Sequence, residues 1–344
     1  MQGFWGKLKK PILCLAPMAD VTDCAFRQII AKYGKPDIFF TEFVSADGLC
    51  SAGREKLLVD FIYSENERPI VAQIFGSNRD NIRDASKLCK ELGFDGIDIN
   101  MGCPDKSVEK QCSGAAMIKD PELAREIIRV AKEGGGGLPV SVKTRIGYNK
   151  NEIETWIREL LKEDLAALTI HLRTRKEMSD VSAHWDLMKR ILEIRNEMKV
   201  ETLILGNGDV ADTDDAKQKI KETGCDGIML GRAIFGNPWL FNSTSVNFSS
   251  LRPSSGASGS KRDPREQKIH ASSIPIPEKL RVMVEHTKLF EKMLGKHKNF
   301  AIMKKHYKAY ANGFDGAKEL RVKLMETENA EQVENVVNKF LQST

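Results

Sequence analysis

Short β-rich runs recur eight times in the first 240 residues, each followed by a helical or polar stretch. They are Pro11–Met18, Asp37–Phe43, Pro69–Gly76, Gly96–Cys103, Pro139–Ile146, Ala167–Thr174, Thr202–Val210 and Gly227–Ala233. Four of the eight are nearly all apolar, as parallel strands covered on both faces must be. Amphipathic segments lie between them: Asn81–Leu92, Pro121–Glu133, Glu152–Glu163 and Asp212–Thr223. Asp212 and the pair Asp120-Pro121 are helix N-caps by residue type, the second with proline at the first helical position. Eight such units fit a (β/α)₈ barrel. A doubly wound open sheet competes, but no GxGxxG opens a helix after an early strand.

In such a barrel the chemistry sits where the strands end. The ends read Pro17-Met18, Glu42, Gln73, Asn100 to Cys103, Lys143 with Arg145, His171 with Arg173, Asn207-Gly208-Asp209, and Gly231-Arg232. All eight are polar, basic or backbone-exposing. Gly102-Cys103-Pro104 leaves one cysteine at the mouth of a strand, placed for proton chemistry. Asn207 to Asp209 and Gly231-Arg232 suit a phosphate, through close-approaching backbone N–H groups, an expected helix N-terminus after Gly231 and the Arg232 fork. Lys143 sits among apolar neighbours and needs an anionic partner or must lose its charge. A reduced isoalloxazine would supply that anion. Gln73 could then reach the ring's polar edge, Pro17 and Met18 its face, and His171 the phosphate or ring edge.

The back of the chain differs. Residues 243–344 hold 18 Lys+Arg against 11 Asp+Glu, and residues 1–242 hold 35 against 37. Residues 243–275 contain ten serines. The expected organisation is a catalytic barrel over 1–242, a flexible serine-rich linker over 243–277 and a basic helical domain over 278–344. Leu280, Val284, Thr287 and Phe290 mark one helical face, continued by Met303, Tyr307 and Tyr310. Lys304, Lys305, His306, Lys308 and Arg321 are assigned to an outer, phosphate-binding face. The fold class is therefore α/β, a (β/α)₈ TIM barrel followed by a small C-terminal all-helical domain. Seven cysteines without CxxC or Cys/His spacing argue against a disulfide framework and a metal site, and for the cytoplasm. No apolar run approaches the ~20 residues that cross a bilayer. A monomer is expected.

These motifs resemble the tRNA-dihydrouridine synthases, closest in pattern to the bacterial B-type subfamily. The matching stretches are APMADVTDCAFR, VAQIFG, DINMGCP followed by GAAM, VSVKTRIG, TIHLRTR, GNGDV and MLGRAIFGNPW, with MKKHYKAY extending the match. One departure puts Leu172 where the family often keeps a glycine. The resemblance implies that Pro17, Met18, Ala19, Gln73, Lys143, His171, Asn207, Gly208, Asp209, Gly231 and Arg232 bind FMN. It makes Cys103 the general acid and Lys143 its catalytic companion at the flavin, and lets Asn100 and Arg145 position flavin or uracil. Lys304, Lys305 and Arg321 would meet tRNA. The implied reaction is NADPH-driven reduction of the C5=C6 bond of a D-loop uridine, leaning to U17. Hydride would go from FMN N5 to C6 and a proton from Cys103 to C5, an oxidoreductase acting on a CH-CH group with NAD(P)+ as acceptor. A flavin barrel acting on a small pyrimidine or enone is the alternative.

Overall fold

The computed structural model describes residues 3–242 and 274–343. The serine-rich stretch 243–273 lies outside the described residues. Nine strands form one all-parallel sheet: β1 (Ile12–Leu15), β2 (Phe39–Phe40), β3 (Val44–Ser45), β4 (Ile70–Phe75), β5 (Gly96–Met101), β6 (Val140–Arg145), β7 (Ala167–His171), β8 (Leu203–Asn207) and β9 (Gly227–Leu230). Each pairs with its neighbour from β4 to β9, and β9 returns to β1 in register Ile12↔Gly227. A single parallel bridge, Cys14↔Ile38, brings the ring round from β1 toward β2. The result is a TIM-type barrel, as the eight runs predict.

The second run departs from expectation by splitting in two. β2 and β3 both pair with β4, and the chain leaves the ladder between them. There the Thr41 hydroxyl replaces a backbone carbonyl, accepting the Gln73 N–H at 3.0 Å. Two short strands together do the work of one.

The longer barrel helices are α1 (Cys24–Tyr33), α2 (Arg79–Glu91), α3 (Pro121–Gly135), α4 (Ile153–Leu161), α5 (Met188–Glu197) and α6 (Thr213–Thr223). Asp120 caps α3 through the Leu123 N–H, and Asp212 caps α6 through the N–H groups of Asp214 and Asp215. α1 begins inside the first motif, capped by Asp23 on the Phe26 N–H. It carries Arg27, fully buried and paired with the equally buried Glu67 at 2.6 Å. The carbonyls of Thr22 and Ile62 take two more of its donors, so the buried guanidinium is satisfied.

Four further helices follow: α7 (Ile276–Leu294), α8 (Met303–Tyr310), α9 (Ala317–Met325) and α10 (Ala330–Ser343). α7 packs on α1 and α10. Its face of Leu280, Val284, Thr287 and Phe290 is buried as the spacing requires. One apolar core runs continuously from the barrel into these helices. Phe26 of α1 stacks on His286 at 4.7 Å and meets His306 edge-on, so His306 is not on an outer face. The reason is periodicity: Met303, His306, Tyr307 and Tyr310 form the single inward stripe of a two-turn helix.

Candidate active site

Inward-facing residues alternate along each barrel strand, and adjacent strands set them side by side. One rung is Gln73–Asp98–Ser141. The next places Asn100 beside Lys143, and above it Arg145, His171 and Asn207 lie in lateral register. Register alone therefore assembles Gln73, Asn100, Lys143, Arg145, His171 and Asn207 at one end of the barrel.

There a cavity of about 720 Å³ opens, lined by Pro17, Met18, Lys143, Arg145, His171, Asn207, Gly208, Asp209, Gly231 and Arg232, with Arg173, Met178 and Pro104. Among the described residues Lys143 donates to Asn207, whose Oδ1 accepts from it at 3.3 Å. Burial, with Arg145 close by, lowers the Lys143 ammonium to about 8. Burial likewise keeps the His171 imidazole neutral, and the cations of Lys143, Arg145 and Arg173 reinforce this.

The deeper rung is closed on itself. Gln73 is fully buried, donates to Asp98 at 2.6 Å and accepts from Asn100 at 3.1 Å. Ser141 donates to the other Asp98 oxygen at 2.6 Å. Burial raises Asp98 to about 6 against those two hydrogen bonds. Neither Gln73 nor Asn100 lines the cavity; the two are bonded to each other beneath it. Asn100 in turn accepts the backbone N–H groups of Gly102 (3.1 Å) and Cys103 (2.9 Å), fixing the Cys103 loop from below.

Cys103 is half-buried beside the lining residue Pro104, and the Ala115 N–H anchors its carbonyl at 2.9 Å. Burial raises its thiol pKa, outweighing the Asp105 N–H and the nearby Lys143 and Arg145 cations. It is a protonated sulfur at neutral pH. Arg145 spends its guanidinium on the carbonyls of Gly102, Thr174 and Met178, bracing two mouth loops.

At the opposite wall Gly208 has φ +124°, and a Cβ there would meet Ala183 at 2.9 Å and the His171 ring at 3.1 Å. Only glycine fits. Asp209 binds Arg173 through one carboxylate oxygen and Arg232 through the other, the latter at 2.7 Å. Arg173, nearly fully buried, also meets His171 at 3.1 Å. The sequence placed Arg173 at a strand end without giving it a role; the basic HLRTR run was the available signal. The helix expected after Gly231 is a single 3₁₀ turn, Arg232–Ile234, because Phe235 is already extended. Ala19 is exposed and lies outside the cavity lining. Lys304 and Lys305 of α8 are half-buried and exposed, and Arg321 of α9 donates to the Ala311 carbonyl at 2.7 Å; none of the three lines the cavity. Among the described residues no cluster of three metal-ligating side chains occurs, and no helix is long and apolar enough to cross a membrane.

The family model described as dihydrouridine synthase (Dus) matches residues 14–344. The chain belongs to the dihydrouridine synthase family. A probable tRNA-dihydrouridine synthase of Staphylococcus epidermidis is 38% identical over 342 residues, 98% of this chain and 96% of that one. Probable tRNA-dihydrouridine synthase 2 of Bacillus subtilis is also 38% identical, covering 98% and 97%. Morphinone reductase shares the fold at 12% identity and a TM-score of 0.50, over 69% of this chain and 86% of that structure. From Cys14 of β1 onward, both the barrel strands and the helical region from Ile276 fall inside the dihydrouridine synthase match.

Proposed function

We propose that this protein reduces a tRNA uridine to dihydrouridine, with FMN bound in the barrel mouth and NADPH as the reductant. The observation that carries this reading is one cavity lined by Lys143, which among the described residues has no carboxylate within ion-pair distance, with a protonated, half-buried thiol directly before the lining residue Pro104. The donor set suits a flavin mononucleotide. A cavity of about 720 Å³ is of ligand size. Gly208 keeps open the space where a side chain would collide, and Arg232 with the backbone around Gly208 and Gly231 would hold the phosphate. Asp209 serves that site indirectly, by aiming Arg173 and Arg232. Lys143 would face the electron-rich edge of the ring, and Met18 and Pro17 its apolar face. Bound there, FMN would supply the hydride for C6 of the uracil.

The chain's own part is the proton. Negative charge gathers on C5 and the C4 oxygen as C6 receives hydride, and Cys103 releases its proton to C5 from the other face. Burial keeps that proton on sulfur until it is needed. Asn100 sets the height of the loop, and Arg145 fixes it to the strand beside it. The uracil must leave its stack to arrive, a cost of a few kcal/mol that favours loops over helices. The D-loop, and U17 in particular, is the proposed target.

The test is purified protein with FMN, NADPH and unmodified tRNA, with dihydrouridine mapped by mass spectrometry. Dihydrouridine confined to a D-loop position is expected. Reduction of free uridine or a small enone at equal efficiency, without reaction on tRNA, overturns the reading.

The basic tail would bind RNA backbone. Lys304→Glu with Lys305→Glu is expected to weaken tRNA binding by at least about tenfold and to flatten the salt dependence by roughly one to two counterions. NADPH oxidation by the flavin in the absence of tRNA should not change. Filter binding across a salt series reads the result, and unaltered affinity would place the RNA surface on other residues.

A further inference from the structure

Lys298 lies in the turn between α7 and α8, yet its side chain is only 11% exposed. Its ammonium reaches Glu42 at 2.8 Å and Asp60 at 2.6 Å, both in the barrel. Glu42 is buried beside the end of β2, in the strand-end set that lines up with the cavity, though it does not itself line the cavity. Its second oxygen accepts the backbone N–H of Asp20. Asp20 sits at φ +54°, in the left-handed region that Asp enters more readily than most residues with a Cβ. It lies in the turn that follows Ala16, Pro17 and Met18 of the cavity wall, a turn closed by the Val21 and Thr22 N–H groups on the Met18 carbonyl.

The other groups nearby cannot replace this lysine. Arg27 is committed to Glu67, and Asp23 adds to the acid side of the cluster. Burial pushes Glu42 up to about 7 even with Lys298 in place. Burial alone would lower the Lys298 ammonium, but the two carboxylates outweigh it and raise it. Without the cation, Glu42 would take up a proton and its hold on the Asp20 turn would be that of a neutral acid.

We propose that Lys298 is a positioning residue for the cofactor loop: by anchoring Glu42 it holds the Ala16–Asp20 turn against the barrel mouth, so the C-terminal helices complete the flavin site. This rests on the flavin reading above. The tail then does two things. It meets RNA on one side, and through a single inward-turned lysine it fixes the wall that a flavin would lie against.

The experiment is a titration of FMN into apo-protein, followed by quenching of flavin fluorescence, for wild type, Lys298→Met and Lys298→Arg. Lys298→Met is expected to raise the FMN dissociation constant about tenfold or more, because a pre-set wall is lost. Lys298→Arg keeps the charge and is expected to restore most of the affinity. The tRNA dissociation constant of Lys298→Met should stay close to that of wild type. Unchanged FMN affinity in a folded Lys298→Met, whether its tRNA affinity or its melting temperature falls, overturns the proposal, since a simple strap or an RNA contact would give that result. Should the lone substitution fail to fold, Lys298→Met/Glu42→Gln/Asp60→Asn removes the charges together and leaves an amide oxygen able to accept the Asp20 N–H. Weakened FMN binding there supports the proposal, and wild-type affinity overturns it. A wild-type protein that takes up no FMN would instead overturn the flavin reading itself.

Discussion

Replacing Cys103 with alanine is expected to cut dihydrouridine formation by roughly 10²–10⁴-fold, the usual contribution of a positioned proton donor. FMN should remain bound with its visible spectrum intact. The two halves of this expectation come from different atoms. The loop is held through the backbone, by Asn100 on the Cys103 N–H and by Ala115 on its carbonyl, and neither contact involves the sulfur. Alanine therefore leaves the loop in place and removes only the acid. Burial raises the thiol above its ordinary value of 9.0, so the wild-type group stays protonated through neutral pH, and its loss by titration would show only in alkali. NADPH should still bleach the variant's flavin, with the defect confined to reoxidation by tRNA. Rapid mixing of reduced protein with tRNA measures that step directly. A variant retaining a tenth of the wild-type rate would remove Cys103 from the acid role.

The barrel and most of its mouth were legible because parallel strands carry their register in their apolar pattern. Once eight runs are aligned, inward positions two residues apart fall on one face, and Lys143, Arg145, His171 and Asn207 become neighbours by arithmetic. What the pattern hides is partnership. Gln73 and Asp98 are polar residues in apolar strands, and nothing in their spacing says that each satisfies the other inside the barrel. Asp209 reads as a phosphate-loop residue, but its carboxylate belongs to two arginines. His306 reads as one more basic residue in KKHYK until the two-turn length of α8 leaves it only the inward stripe. The split of the second strand turns on the Thr41 hydroxyl, an interaction between residues 32 apart that no local propensity encodes. Glu42 and Lys298 are separated by 256 residues, and their pairing exists only in the folded chain.

Lys143→Met is expected to stabilise the apo-protein while weakening its hold on FMN. Burial lowers the Lys143 ammonium from 10.5 to about 8, so between those values the unfolded chain binds more protons than the native one. Stability attributable to this residue therefore rises with pH across that window, and below about pH 8 the native state carries the full cost of the buried cation. At 1.36 kcal/mol per pKa unit, and allowing for its partial exposure at the cavity wall, that cost is of order 1–3 kcal/mol. Methionine fills nearly the same volume without the charge. Asn207 loses one hydrogen bond but keeps its bond to the Met229 carbonyl at 2.8 Å. Asp98 loses a helpful cation, yet Gln73 and Ser141 still donate to it, so the offset is small. The melting temperature of the FMN-free variant should therefore exceed that of wild type at pH 7, and the two should converge as the pH approaches 10.5. FMN affinity should fall at least about tenfold, since the ammonium is the unpaired charge that an electron-rich ring would neutralise. Calorimetry of the apo-proteins at two pH values and flavin titration of each check the pair of effects. A variant that melts below wild type and binds FMN equally well would show that Lys143 is a structural residue and that the cavity's anion lies elsewhere.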